Sequence, residues 1–184
     1  MNLPNILTLS RFVLAAVMAF LLMERSLAGN TLAVIVFAAA SLTDFYDGHL
    51  AKTRGLTSDF GKIMDPIADK ALLLSAFGVL AHLGLVRWWM FLVIAVREIG
   101  VTISRLMACA RGQVLPAERA GKVKTVSQMV AVSSILLYLV AGAAGGGWFY
   151  HVRGVWSDVN YGLMLAAVVL TVYSGIDYFR HKKI

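Results

Sequence analysis

Charged residues are scarce in this chain, and cysteine and proline are scarcer still. Only 15% of the 184 residues are charged and 59% are hydrophobic, whereas soluble domains are about 25% charged. This excess of apolar residues is too large for one buried core and indicates an integral membrane protein. With Cys109 as the one cysteine, a disulfide framework and a cysteine zinc site are both excluded. No polar stretch is long enough to fold separately, so residues 1–184 are expected to form a single transmembrane domain.

A signal peptide is also missing from the start of the chain. The opening MNLPNILTLSRF lacks a basic region followed by a small-residue cleavage site, so the first apolar segment is expected to remain in the mature protein. Six apolar stretches are each long enough to cross roughly 30 Å of hydrocarbon as a helix. They cover approximately residues 5–23, 31–50, 65–83, 88–108, 123–144 and 161–179. The sequence therefore predicts an all-α membrane protein with six transmembrane helices.

Local signals refine this outline. Asn5, Thr8 and Arg11 recur at helical spacing, which predicts a short amphipathic N-terminal segment in the membrane interface. Turn-forming residues predict breaks at AGN after Leu27 and at AGAAGGG before Trp148.

Lysine and arginine are unevenly distributed over the ends of the six segments. One side has only Arg25, Arg87 and Arg153 and collects all four tryptophans. The other side carries Lys52, Arg54, Lys62, Lys70, Arg105, Arg111, Arg119, Lys122, Lys124, Arg180, Lys182 and Lys183. The positive-inside rule therefore predicts that both termini and the loop after the second segment are cytoplasmic. The net charge of +7 is explained by topology and by contacts with anionic lipid or phosphate, and not by nucleic acid.

Four aspartates stand at the facing ends of the second and third segments. Asp44 and Asp47 are three residues apart, and Asp65 and Asp69 are four apart, so each pair lies on one face of a helix. A charge at a helix centre in the bilayer costs about 2.5–3.5 kcal/mol. The short connection predicts that the two helices are neighbours, and Pro66 predicts that the second of them starts beside Asp65.

Hard divalent cations prefer carboxylate oxygens, so four converging aspartates suit one or two Mg²⁺ or Mn²⁺ ions. Such ions neutralise phosphoryl oxygens and orient an in-line displacement on a diphosphate. One carboxylate could accept the proton of an attacking hydroxyl. The alternative is that these acids are helix caps paired with nearby lysines and arginines.

At these residues the chain resembles the CDP-alcohol phosphotransferases, whose signature is D-x2-D-G-x2-A-R-x8-G-x3-D-x3-D. The matching positions are Asp44, Asp47, Gly48, Ala51, Lys52, Gly61, Asp65 and Asp69. Lys52 stands where the family has arginine; it keeps the charge but loses the bidentate fork. The stretches LPNILTLSR, FGKIMDPIADK, VREI and GKVKT resemble the bacterial members that use glycerol 3-phosphate.

The resemblance implies a catalytic domain in the bacterial inner membrane, with a cytoplasmic active site and a homodimeric assembly. It implies transfer of a phosphatidyl group from CDP-diacylglycerol to sn-glycerol 3-phosphate, with release of CMP. All four aspartates would hold two metal ions, and Asp69 would also be the base. The residues implied to bind CDP-diacylglycerol are Asn5, Thr8, Asp44, Gly48, Ala51, Lys52, Ser58 and Gly61.

The acceptor carries its own phosphate, which calls for a second basic pocket. Arg97 is the best candidate, because an arginine well inside an apolar segment is costly without a purpose; its alternative is an ion pair with an acid such as Glu98. Arg105, Arg119, Lys122 and Lys124 are predicted on the same side and are the further candidates.

Several other functions share parts of this pattern. Serine, inositol phosphate or phosphatidylglycerol could replace glycerol 3-phosphate as acceptor. An intramembrane prenyltransferase would have two well-separated aspartate motifs and more helices. A divalent-cation transporter would need acids near the bilayer midplane, whereas these acids stand at the predicted cytoplasmic ends.

Overall fold

Helices account for nearly all of the residues whose structure is described. A computed structural model describes residues 3–54, 59–111 and 119–181, and the side chains of residues 10–43, 67–68, 70–111 and 121–180. Its helices are α1 (Leu3–Met23), α2 (Leu27–Arg54), α3 (Asp59–His82), α4 (Trp88–Ala110), α5 (Arg119–Ala144) and α6 (Gly147–His181). No strand occurs in these ranges. The all-α prediction is confirmed.

Two of the described helices are long and apolar enough to cross a membrane by length and composition alone. They are the stretches Gly121–Ala144 in α5 and Gly147–Arg180 in α6. Shorter apolar stretches occur in α1, α2 and α3. Helix α4 is continuous, but its run of apolar residues is interrupted by Arg97, Glu98 and Arg105. The number of transmembrane crossings therefore stays a prediction, whereas the number of helices in the described ranges is the predicted six.

The start of the chain differs from the prediction at the beginning of α2. Helix α1 is one helix from Leu3 to Met23 and includes the opening predicted to be amphipathic. The AGN triplet is not a break, because α2 already begins at Leu27. The turn lies just before it, where Arg25 has a left-handed φ of 52° and Ser26 Oγ accepts the Gly29 N–H at 2.9 Å. This side-chain bond satisfies an N-terminal amide of α2 and so allows the helix to start earlier.

The prediction that the third helix starts beside Asp65 is wrong. Helix α3 begins at Asp59, so Pro66 lies within the helix rather than at its first turn. An internal proline removes one backbone hydrogen bond and usually bends a helix. The apolar part of α3 that follows is packed into the core, and tertiary packing of this kind supplies most of the stability of a helix.

Glycines with positive φ angles lie in two further connections between helices. Gly84 (φ 76°) follows α3, and its N–H donates to the Ala81 carbonyl at 3.1 Å. Gly145 (φ 67°) separates α5 from α6, which confirms the break predicted from AGAAGGG. Glycine adopts this conformation without the steric cost that other residues meet.

The helices are arranged in a ring. Helix α1 packs against α2 and α3, α2 against α5, α5 against α6, α6 against α4, and α4 against α3. Over the described residues, the main partners of α2 are therefore α1 and α5, rather than α3 as the short connection predicted. Helices α4 and α6 run in the same direction, because Arg97 contacts Ser174 and Ser104 contacts Tyr178.

The core and the outer surface are both apolar. Fully buried side chains from all parts of the ring form one cluster, among them Met18, Phe77, Leu80, Ile94, Ile135 and Met164. The outward face of α4 exposes Leu92, Val96, Ile99, Ile103 and Met107 at helical spacing. An apolar exterior of this extent suits a lipid environment and would be a liability in water.

Candidate active site

The aspartate motif spans the end of α2 and the first half of α3. Asp44 and Asp47 lie within α2, and Asp65 and Asp69 lie within α3, so the helical spacing that pairs them is present in the backbone. Their side chains are outside the described set, as are those of Asn5, Thr8, Gly48, Ala51, Lys52 and Gly61, while Ser58 lies wholly outside it. Their predicted roles stay predictions.

A charged cluster begins one residue after this motif. Its centre is Glu98 of α4, which is only 3% exposed. Lys70 of α3 approaches Glu98 Oε2 with its Nζ at 3.2 Å. Lys124 of α5 forms a salt bridge to Oε1, and Arg97 Nη1 lies 3.5 Å from the same oxygen. We refer to Lys70, Arg97, Glu98 and Lys124, with the residues that bond to them below, as the Glu98 cluster.

Neutral groups extend the Glu98 cluster to α6. Gln128 Nε2 donates to Glu98 Oε1 at 3.3 Å and to Thr171 Oγ1 at 2.9 Å. Arg97 Nη2 donates to Ser174 Oγ at 2.7 Å. The cluster thus ties α3, α4, α5 and α6 together, and hydrogen bonds of this kind are what make a buried carboxylate tolerable away from water.

The cations of the Glu98 cluster differ in exposure. Three of them contact the Glu98 carboxylate. Lys124 is 2% exposed along its side chain, whereas Lys70 is 28% exposed. Lys70 is therefore the cation of the cluster that is most accessible to a further group.

The structure brings two of the predicted acceptor-phosphate residues together and places Arg105 and Lys122 elsewhere. Arg97 and Lys124 meet at Glu98. Arg105 instead lies over the Tyr178 ring, 5.6 Å from its centroid, and Lys122 is exposed on α5. Arg119 begins α5, and its side chain is outside the described set. The alternative reading of Arg97 as the ion-pair partner of Glu98 is also realised.

Sequence reasoning missed the central residue of this cluster. Glu98 was weighed only as a partner for Arg97, and Lys70 and Gln128 were given no role at the site. One signal was present, because a glutamate inside an apolar helix is as costly as an arginine. Which cations reach it could not be read from the chain, since Lys124 is 26 residues away.

The all-helical fold agrees with a membrane-bound transferase, and the chain belongs to the CDP-alcohol phosphatidyltransferase family, whose sequence profile matches residues 1–173. It is 41% identical over 180 residues to the "Probable phosphatidylglycerophosphate synthase" of Mycobacterium tuberculosis (strain ATCC 25618 / H37Rv), covering 96% of this chain and 79% of that protein.

Two further relatives align with this chain over nearly the whole length of both proteins. Both carry the name CDP-diacylglycerol–glycerol-3-phosphate 3-phosphatidyltransferase. The Bacillus subtilis (strain 168) protein is 34% identical over 190 residues, covering 97% of this chain and 93% of its own. The Rickettsia felis protein is 33% identical over 179 residues, covering 97% and 94%. The family resemblance seen in the sequence is confirmed, and the chain is an enzyme of this family.

Proposed function

We propose that this enzyme transfers a phosphatidyl group from CDP-diacylglycerol to sn-glycerol 3-phosphate, giving phosphatidylglycerol phosphate and CMP. Relatives at 33–41% identity over nearly the whole chain carry names for this reaction. The structural observation that supports it is the Glu98 cluster, where Lys70 directly follows Asp69 and meets Arg97 and Lys124. A basic site next to the aspartate motif suits an acceptor that itself carries a phosphate.

The donor would be held at the aspartate motif. The family depends on divalent cations, and the donor set fits them, because four aspartates stand at helical spacing on α2 and α3 and carboxylates are preferred ligands of Mg²⁺ and Mn²⁺. Two ions held by Asp44, Asp47, Asp65 and Asp69 would neutralise the diphosphate. We assign CDP-diacylglycerol to Asn5, Thr8, Asp44, Gly48, Ala51, Lys52, Ser58 and Gly61.

The reaction is an in-line displacement at the phosphorus that carries diacylglycerol. Asp69 accepts the proton from the 1-hydroxyl of glycerol 3-phosphate. The resulting oxygen nucleophile forms the new P–O bond, and the bond to the CMP oxygen breaks with its electron pair leaving on CMP.

The acceptor phosphate is assigned to the cations of the Glu98 cluster. Glu98 holds the Lys124 ammonium and the Arg97 guanidinium on one side of its carboxylate, which restricts their positions before the acceptor binds. Preorganised donors of this kind lose little entropy on binding. Lys70 is the most exposed of the three cations and is added to the assignment; Arg105, Arg119 and Lys122 stay in it as outer contacts.

The setting follows from the distribution of charge. We propose six transmembrane crossings in a bacterial inner membrane, with both termini and the active site on the cytoplasmic side, as the positive-inside rule predicts. Residues 1–184 act as one catalytic domain, and the enzyme is a homodimer.

The test is an acceptor panel with the purified enzyme. CDP-diacylglycerol and Mn²⁺ or Mg²⁺ are supplied in mixed micelles with one acceptor at a time: glycerol 3-phosphate, serine, inositol phosphate or phosphatidylglycerol. Release of CMP is expected with glycerol 3-phosphate. Release with serine alone, or with none of the acceptors, would contradict the assignment.

A further inference from the structure

A groove on the outer surface of the molecule lies between α4 and α6. Its volume is about 870 Å³, within the roughly 300–1,000 Å³ typical of ligand sites. The walls are apolar and include Val96 of α4 with Val172, Ile176 and Phe179 of α6, all of which are exposed. Gly100 leaves the floor open, because a Cβ there would meet no atom within 4 Å.

The length of the groove matches one leaflet of a bilayer. It follows α4 from Leu92 to Val101, which is about 14 Å at 1.5 Å per residue. The hydrocarbon core of a bilayer is roughly 30 Å thick, so a single acyl chain of one leaflet would cover about this distance.

The charge of the groove is of one sign. Its two charged lining residues are Arg97 and Arg180; Asp177 is on α6 in the same region but does not line it. Arg180 lies in the last turn of α6 and is exposed, where it can reach the headgroup level. Arg97 also belongs to the Glu98 cluster and hydrogen-bonds Ser174 across the two helices, so the groove adjoins that cluster at this one residue.

We propose that this groove binds one anionic phospholipid of the surrounding bilayer, with an acyl chain along α4 and α6 and its phosphate at Arg180. The apolar walls offer the chain a surface, and the arginine supplies the charge complement. A CDP-diacylglycerol donor fits less well, because apart from the two arginines the lining provides no polar side chain for cytidine. The proposal rests on the proposed function only in placing the chain in a membrane.

Native mass spectrometry of the detergent-purified protein tests this, because it counts retained lipids without requiring turnover. The protein is mixed with equal amounts of phosphatidylglycerol and phosphatidylcholine. One arginine near an anionic headgroup favours it by about fivefold, so one phosphatidylglycerol per chain is expected to be retained with about that preference. Arg180→Gln should bring the preference close to unity while the chain still binds either lipid.

A filled groove provides the second arm. Gly100→Phe places a ring in the open space and should remove the retained lipid, whereas Gly162→Phe adds the same ring to an exposed site on α6 that also has no neighbour within 4 Å and should change nothing. Melting temperatures of both variants show whether they fold; if Gly100→Phe does not, Arg180→Gln decides.

Three results would overturn the proposal. Equal retention of the two lipids by the unmodified protein would show that Arg180 does not select an anionic headgroup. Displacement of the bound lipid by an equimolar amount of CDP-diacylglycerol would make the groove part of the donor site. If the dimer retains no lipid while the monomer retains one, the groove is an interface between two copies of the chain. If no acceptor in the panel supports release of CMP but the preference for phosphatidylglycerol is preserved, the proposed reaction is rejected and the lipid site in the groove is retained.

Discussion

Glu98 joins more elements than any other described side chain of the site. Its carboxylate accepts from Lys124 and Gln128 of α5, and it pairs with Lys70 of α3 and with its neighbour Arg97. A buried ion pair is an uncertain source of stability, but removing one partner leaves uncompensated charge. Glu98 is therefore the residue at which a single change should affect both the packing of the helices and the acceptor site.

Replacing Glu98 by glutamine tests this dependence. Glu98→Gln removes the negative charge that three cations share, and the free energy of unfolding should fall by about 3–5 kcal/mol. The exposed Asp158→Asn, outside the cluster, should stay within about 0.5 kcal/mol. Thermal melting in one detergent gives the comparison.

A second substitution separates charge from packing. The double variant Glu98→Gln with Lys124→Met also removes the buried ammonium. Its loss in free energy of unfolding should therefore be smaller than the sum of the two single losses by about 1–3 kcal/mol. Additive losses would show that Glu98 and Lys124 do not act as a pair.

At the scale of elements, the connection between α1 and α2 illustrates how closely two helices can approach. A Cβ on Gly29 would lie 2.7 Å from the Leu21 carbonyl oxygen of α1 and 2.9 Å from Ser26 Oγ. The same Ser26 hydroxyl caps α2. Glycine at position 29 is thus required by the close approach of backbone and cap, although φ there is not left-handed.

Gly29→Ala should lower the melting temperature, because the added methyl group displaces either the cap or the end of α1, at a cost of about 1–3 kcal/mol. Its control is Gly162→Ala in α6, where a Cβ meets nothing within 4 Å and the change should stabilise by about 0.4–1 kcal/mol. The two expected effects have opposite signs, which makes the pair informative; a stabilised Gly29→Ala would show that α1 and α2 are not held this close.

Helices were predictable from the sequence where one strong signal dominates. Long apolar runs located all six, and the glycine run before Trp148 located the last break. Starts governed by weaker signals were misread. Ser26 caps α2 ahead of AGN, and Pro66 lies inside α3 because the helix begins in the polar stretch at Asp59. Boundaries of this kind depend on caps and packing more than on composition.

For the candidate site, single residues were predictable from the sequence, but their arrangement around Glu98 was not. The aspartate motif and Arg97 were predicted from the cost of charge among apolar residues, and Lys124 from its place on the side rich in lysine and arginine. The Glu98 cluster required the ring order, since α3, α4, α5 and α6 must be adjacent before Lys70, Lys124 and Gln128 can share one carboxylate. Separation in the chain gives no information about such adjacency.

At the scale of the whole molecule, the proposed orientation can be tested with the native cysteine. Cys109 is exposed near the end of α4, which is cytoplasmic in the proposed topology. A membrane-impermeant thiol reagent should therefore label it in inverted vesicles and not in right-side-out ones.

The matched variant moves the thiol to the other side. In Cys109→Ser with Ser157→Cys, the new cysteine is in the exposed first part of α6, and labelling should occur in right-side-out vesicles. Labelling of both proteins from the same side would show that α5, which lies between the two positions, does not cross the bilayer as proposed.

The most direct measurement of the central claim follows both parts of the acceptor. Glycerol 3-phosphate labelled separately in its glycerol carbon and its phosphate is incubated with CDP-diacylglycerol, Mg²⁺ or Mn²⁺ and the purified enzyme. Both labels should enter one lipid in equal molar amounts, matched by the CMP released, and Asp69→Asn should abolish the transfer while the protein keeps its melting temperature. CMP release without labelled lipid, lipid that lacks the phosphate label, or near-normal turnover by folded Asp69→Asn would contradict the claim.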